Sequence, residues 1–322
     1  MNRREWLFAL GAALASPLSQ AQQPGRIFRV GWLGLLPLNL VSNFFDEFEQ
    51  GMRDHGYAVG KNLVIEFAIA DGKIERLPGL ARELVAKNVE VIVVGTNPNT
   101  VAAKAATQTI PIVFAVGTDV IGQGFVKSLA KPGGNITGLT WDVGGGPVSK
   151  AIELLKEIAP RTTRLAVLYE PPYHTFYREA VEDAASRLRL HLIWIDAIDD
   201  FGRSFSEAVR QRANAVYVLA GPRMFGRRAE LAALAAKHRL PATYVNTEYV
   251  DAGGLMAYAP NVALNFRDAA RYVDKILKGA KPGDLPVEQP RKIDFVINQR
   301  TAKSLGLTIS QSVLLRADRG IE

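Results

Sequence analysis

The chain reads as an α/β protein with two doubly wound parallel-sheet lobes joined by a three-crossing hinge. Three observations predict this. Short apolar runs such as residues 91–94 (VIVV) and 112–116 (IVFAV) alternate with stretches of helical spacing. A continuous apolar run bounded by turn residues suits a strand buried on both faces, and strand–helix–strand at this spacing gives right-handed crossovers and parallel pairing. The alternation breaks at a Gly-rich segment, residues 142–147 (DVGGGP), then restarts. At 322 residues the chain has room for two domains of about 100–200 residues each.

The first residues are expected to lie outside the fold. Arg3-Arg4 precedes Trp6-Leu7-Phe8, an apolar stretch continues to Leu18, and Ser19-Gln20-Ala21 offers small residues for cleavage. This predicts a secretory signal peptide over residues 1–21, of twin-arginine type, cut near Ala21. The apolar stretch is broken by Pro17 and falls short of the ~20 residues needed to span a bilayer, so no stable membrane insertion is expected. The expected location is the periplasm. The body of the chain is ordinary for a globular protein at 48% hydrophobic and 22% charged residues. With no cysteine, disulfides, thiolate metal sites and cysteine nucleophiles are excluded. Four histidines without HxH or HExxH spacing argue against a metal site. The net charge of +7 is spread along the chain, without the clustered basic and aromatic residues of a nucleic-acid binder.

Taken in order, residues 29–36 (RVGWLGLL) form a first buried strand whose end, Gly34 to Asn39, should face the ligand edge. Residues 43–55 are helical, with Phe44, Phe45, Phe48 and Met52 on one core-facing stripe and Gly56 as the stop. A strand at 63–70 and a helix at 74–87 follow. Strand 91–94 ends in Gly95-Thr96-Asn97, and Asn97-Pro98 opens a helix running to 107. The strand at 112–116 ends in Gly117-Thr118-Asp119. A short helix at 121–130, a turn cluster at 131–135 and a strand at 136–141 complete the first half. The Gly144–Gly146 triplet lacks the Lys-Ser/Thr of a phosphate loop and reads as a hinge. In the second half, helices at 148–158, 176–187, 201–212 and 227–238 alternate with strands at 164–169, 190–195, 215–219 and 242–245. Later come a strand at 255–258, a helix at 266–278, a strand at 292–297, a short helix at 301–305 and a last strand at 313–317. The predicted division is 27–142 with 251–281 for the N-terminal lobe and 147–247 with 290–322 for the C-terminal lobe. The crossings fall at 143–146, 248–250 and 282–289.

Ligands of open α/β sheets bind beyond the carboxyl ends of the strands. The candidate site residues are therefore Leu35 and Asn39 after the first strand, Thr96 and Asn97, then Gly117, Thr118 and Asp119. The second wall should offer Glu170, His174, Thr175, Gly221, Arg223, Asn246 and Tyr249. Small polar groups beside Tyr169, Tyr173, Phe176, Tyr177 and Tyr249 are the mixture a small-ligand cleft needs. The N–H groups opening the helix at Asn97 suit a carboxylate. Asp119 serves equally as a ligand to an amine or as a helix cap. Arg223 is a candidate anion contact, whereas Arg227 and Arg228 read as a solvated face. No nucleophile elbow and no tuned acid–base pair is present, so the protein is expected not to be an enzyme and to need no cofactor.

Four runs carry a family resemblance: residues 51–85 (GMRDHGYAVGKNLVIEFAIADGKIERLPGLARELV), 100–140 with KPGGNITGLT, 234–261 (LAAKHRLPATYVNTEYVDAGGLMAYAPN), and 267–318 with ILKGAKPGDLPVEQP. They resemble the tryptophan-type substrate-binding proteins of ABC transporters, which have the type I periplasmic binding fold. The resemblance implies a monomeric solute receptor that closes on a small molecule and delivers it to a cognate ABC permease. It implies that the loops at Thr96-Asn97 and Val116–Thr118 hold a carboxylate. The second lobe departs from many relatives, with Glu170-Pro171-Pro172 in place of Asn-Pro and Ala220–Arg223 in place of an acidic residue. The expected ligand is therefore an organic or aromatic acid, with an aromatic amino acid as the alternative. A sensor module that signals to a membrane kinase is the alternative role.

Overall fold

The computed structural model describes residues 25–141, 144–171, 175–197, 200–219 and 221–322. The segment expected to be a signal peptide (residues 1–21), His174 and part of the first predicted crossing (residue 143) lie outside the described residues. The first sheet is built from β1 (Phe28–Gly34), β2 (Leu63–Ile69), β3 (Val91–Val94), β4 (Ile112–Gly117) and β5 (Ile136–Thr140). All pairs are parallel and the order is β2-β1-β3-β4-β5. Helices α1 (Ser42–Asp54), α2 (Leu77–Ala86) and α3 (Asn97–Ala106) supply the crossovers. Strand β3 is buried at every position, as a four-residue apolar run inside a covered sheet must be. Winding reverses between β1 and β3, the switch point at which such a sheet opens a crevice.

The second lobe contains α4 (Gly146–Ile158), β6 (Arg164–Tyr169), α5 (Thr175–Arg187), β7 (His191–Asp196), α6 (Phe201–Arg210), β8 (Ala215–Val218), α7 (Pro222–Gly226), α8 (Arg228–Lys237), β9 (Ala242–Tyr244), α9 (Glu248–Asp251) and β10 (Met256–Pro260). After α10 (Val262–Leu277) come β11 (Ile293–Asn298), α11 (Gln299–Ser304), α12 (Gln311–Leu314) and β12 (Arg319–Ile321). The seven-stranded order is β12-β11-β10-β9-β8-β6-β7, parallel except where β10 meets β11.

Four local expectations change. The segment at 121–130 is a series of turns; Gly122 and Gly124 dilute its helix propensity and Asp119 starts it at φ 46°. The last strand is Arg319–Ile321, because Ser310 caps α12 through its hydroxyl and turns residues 311–314 into a helix. The strand expected in the first lobe at 255–258 joins the second sheet, between β9 and β11. Correspondingly, residues 248–250 are not a crossing but part of α9, and the chain changes lobe at Asn261. Helix α10 then packs on α1 and β4 of the first lobe. An apolar run specifies burial on a sheet but not which sheet accepts its hydrogen bonds.

The crossings are tied to one another. Asn261 caps α10 by accepting from the Leu264 N–H and donates to Asp294, 2.5 Å away. Arg271 of α10 forms a two-pronged pair with Glu288 at 3.0 and 2.6 Å, and Leu139 of β5 bridges to Glu288. The third crossing therefore leaves the first sheet only after residue 288.

The pairing of β4 with β5 shifts register between Phe114 and Gly117. Gly138 makes the shift possible: its φ is +143°, and a Cβ there would stand 2.0 Å from the Phe114 carbonyl oxygen. We expect Gly138→Ala to cost about 3 kcal/mol of unfolding free energy, through strain and backbone overlap together. Urea denaturation checks this; a change below about 0.5 kcal/mol contradicts it.

Candidate functional site

The carboxyl ends of the parallel strands from both lobes converge on one cavity of about 150 Å³. From the first lobe, β1 contributes Trp32 to Gly34 and then Leu35 and Leu36. The β3 end adds Gly95, Thr96 and Asn97; the β4 end adds Val116 and Thr118; Trp141 follows β5. Helices α1 and α10 bring Phe44, Val262 and Phe266. The second lobe supplies Tyr177 from α5, Gly221, Pro222 and Phe225 after β8, and Asn246 after β9.

Aromatic rings line part of this wall, and four of them, Trp32, Phe266, Phe44 and Phe225, pack against one another. Phe44 lies on Phe266 at 5.2 Å between centroids and 9° between planes, and Trp32 stacks on the same Phe266 at 5.4 Å. Phe225 continues the column from the other lobe, 5.7 Å from Phe44. Offset stacking at these spacings adds to the burial itself.

The polar groups fall into two kinds. Some are spent on the scaffold. Asn97 donates through Nδ2 to the Thr118 carbonyl at 2.8 Å and accepts the Thr118 N–H at 3.0 Å, so its amide staples the β3 end to the β4 end. The Thr96 hydroxyl donates to Asn99 Oδ1 at 2.8 Å, while buried Asn99 donates to the Leu33 carbonyl at 2.9 Å. These three amide and hydroxyl groups hold the β1, β3 and β4 loops level. In contrast, the Thr118 hydroxyl and the Asn246 amide line the cavity with no hydrogen-bond partner among the described residues.

Glu170 is not on the cavity wall. It is 4% exposed, and its Oε2 accepts from the backbone N–H groups of Arg223 at 3.1 Å and Met224 at 3.3 Å. Burial pushes its carboxyl above the usual carboxylate range, and those two N–H donors partly offset the shift. A Cβ at residue 221 would meet Oε2 at 2.3 Å, so the approach requires glycine. Glu170 thus fixes the segment that carries Gly221, Pro222 and Phe225 to the cavity.

Of the sequence-predicted site residues, Leu35, Thr96, Asn97, Thr118, Gly221 and Asn246 line the cavity. Gly117 lies just behind it, its carbonyl accepting the Thr140 hydroxyl at 2.8 Å. Asn39 is exposed on a one-turn helix, and Thr175 is exposed at the start of α5. Asp119 is exposed and accepts the Gly122 N–H at 3.2 Å, closing a turn where a capped helix was expected. The Arg223 side chain is exposed, because the backbone N–H rather than the guanidinium turns inward to Glu170. Tyr249 is fully buried in the second lobe, stacked on Tyr244 at 4.9 Å, and does not reach the cavity.

Sequence reasoning missed Trp32, Phe44, Trp141, Phe225 and Phe266. The helical stripe predicts core, and Phe48 and Met52 are core; Phe44, one turn nearer the strand ends, is where the core surface becomes cavity wall. Phe225 had a usable signal: it stands three residues after Pro222, in the short segment that follows a strand end.

The lobes also touch beside the cavity. Arg228 donates to the Leu40 carbonyl at 3.1 Å and to the Phe225 carbonyl at 3.2 Å, with its guanidinium over the Phe225 ring at 4.8 Å. This corrects its expected placement as a solvated side chain. Asn43 of α1 donates to Glu248 of α9 at 3.3 Å; burial pushes that carboxyl up as well.

Two α/β lobes enclosing a preformed, aromatic-walled cavity define a solute-binding protein. The family model described as ABC transporter substrate binding protein matches residues 41–321, and the chain belongs to that family. It is 24% identical to a tyrosine-binding protein of Clostridioides difficile strain R20291 over 264 residues, 81% of this chain and 75% of that protein. A conserved domain protein from Vibrio cholerae O1 biovar El Tor superposes with a TM-score of 0.84 at 29% identity, covering 92% of this chain and 100% of the other. An ABC domain from Streptococcus pneumoniae in complex with L-Trp gives a TM-score of 0.84 at 24% identity, with the same coverage. The fold is that of type I periplasmic binding proteins, and the protein is a substrate-binding protein rather than an enzyme. Among the described residues no helix is long and apolar enough to cross a membrane, and no cluster of three or more His, Asp or Glu is placed to hold a metal.

Proposed function

We propose that this protein is the periplasmic receptor of an ABC importer and binds a small aromatic, carboxylate-bearing solute between its lobes by hinge closure. The observation that carries this is the cavity itself: Trp32, Phe44 and Phe266 of one lobe and Phe225 and Tyr177 of the other line a single space of about 150 Å³. An aromatic solute entering that space meets aromatic side chains of both lobes, and it does so only when the lobes are together. Contacts with both lobes are what favour a closed state over an open one. The relatives named for tyrosine and for L-Trp support an aromatic solute, and the predicted leader supports export. Delivery would be to a cognate permease, with the receptor working as a monomer.

A thermal-shift screen tests the reading. Aromatic amino acids and aromatic carboxylic acids at millimolar concentration are expected to raise the melting temperature by several degrees, consistent with about 2–4 kcal/mol of linkage at 100 to 1,000 times Kd. Leucine and ribose are expected to leave it unchanged. Stabilisation by the aliphatic or sugar probes alone would overturn the aromatic assignment.

A further inference from the structure

We infer that Asn246 selects against an amine on the bound solute, so that the site takes aromatic acids lacking an α-ammonium group in preference to the matching amino acids. This rests on the solute-receptor reading above. The cavity wall offers Asn97, Thr96 and Asn99 only nominally, since each is committed to a neighbour: Asn97 to both backbone groups of Thr118, Thr96 to Asn99, and Asn99 to Leu33. Of the Thr and Asn side chains lining the cavity, the Thr118 hydroxyl from one lobe and the Asn246 amide from the other are without a partner among the described residues.

The chemistry of that pair is asymmetric. A hydroxyl and a primary amide together provide three N–H or O–H donors and neutral acceptors, with no charge. A carboxylate needs several donors and finds them. An ammonium group has three donors of its own and calls for acceptors, preferably an anionic one, once it leaves water for an apolar cavity. The nearest acidic side chains that sequence reasoning put at the site are turned elsewhere. Glu170 is consumed by the Arg223 and Met224 N–H groups, and Asp119 sits exposed in its turn. Among the described residues no Asp or Glu lines the cavity, and Asn246 is the uncommitted lining asparagine at which one isosteric change would introduce an anion.

The position is also mechanically set. Asn246 stands two residues past β9; the intervening Val245 N–H donates to the Val218 carbonyl of β8 at 3.3 Å, and the Asn246 carbonyl accepts the Tyr249 N–H at 3.4 Å. Backbone on both sides is held, so a change of side chain at 246 alters chemistry rather than placement.

The test uses titration calorimetry on the full-length protein with two matched pairs: L-tyrosine and 3-(4-hydroxyphenyl)propanoate, and L-tryptophan and indole-3-propanoate. In the wild type each deaminated acid is expected to bind more tightly than its amino acid. Asn246→Asp is expected to shift the ratio toward the amino acid by at least about tenfold, by attracting the ammonium and repelling a second carboxylate. Asn246→Ser is expected to weaken both members of a pair while keeping their ratio within about threefold. A wild-type preference for the amino acids, or a ratio that Asn246→Asp leaves unchanged while binding persists, overturns the inference and leaves the receptor reading standing. Failure of all four probes to bind overturns both.

Discussion

Replacing Phe225 with alanine is expected to weaken binding of an aromatic solute by about 30-fold or more, close to 2 kcal/mol, with little loss of fold stability in the first lobe. Phe225 is the point where the second lobe meets the aromatic column of the first. Its ring lies 5.7 Å from Phe44 and 6.1 Å from Tyr249, and Arg228 covers it at 4.8 Å. Truncation removes a wall of the cavity, the stacking partner of Phe44, and the surface on which Arg228 rests while it reaches the Leu40 carbonyl. Each of these favours the joined lobes, so the loss should appear mainly as faster dissociation. Phe225→Leu should recover part of the loss by restoring apolar area without the ring's geometry. Calorimetry and stopped-flow release of a fluorescent aromatic acid read the two quantities. Affinity unchanged in Phe225→Ala would remove the second lobe from the site.

Replacing Glu170 with alanine should act at the same wall from behind. Two N–H groups at the start of α7 would lose their acceptor; Met224 is fully buried, so its N–H would find no water in compensation. The cost is expected to be about 2–3 kcal/mol of stability, and the loosened Gly221–Phe225 segment should also lower solute affinity. Glu170→Gln keeps an acceptor oxygen and should rescue most of both losses. The pH dependence separates this from simple packing. Burial raises the folded-state pKa of Glu170 above its unfolded value, so the folded state holds the proton more tightly. Its contribution is complete below the ordinary glutamate range and is lost as pH rises through the raised folded-state pKa. Stability in Glu170→Gln should therefore decline less than in the wild type over that interval. Parallel stability–pH curves for the two proteins would show that Glu170 carries no shifted proton.

These effects also show how unevenly the sequence disclosed the molecule. The alternation of strands and helices was legible because a buried parallel strand must be a short apolar run and a crossover helix must carry a stripe. The strand ends were legible for the same reason, and with them Thr96, Asn97, Thr118, Gly221 and Asn246, which do line the cavity. Spacing did not reveal the fate of each polar group. Asn97 has a strand-end position and an amide, as a ligand contact should, yet the amide is consumed by Thr118. Glu170 has the same apparent credentials and is consumed by α7. Whether a polar side chain is free depends on partners 21 and 53–54 residues away in the chain.

By itself, then, the sequence determined two α/β lobes, cavity-facing strand ends and a family resemblance that the 41–321 match bears out. Those properties are local: burial periodicity, turn chemistry and runs of characteristic residues. Only the tertiary structure decided that β10 pairs in the second sheet, that the wall is a stack of Trp32, Phe44, Phe266 and Phe225, and that Thr118 and Asn246 are left uncommitted. The reason is physical. Hydrogen bonds and ring contacts saturate, and which partner saturates a group is settled by which distant segments the folded chain brings together.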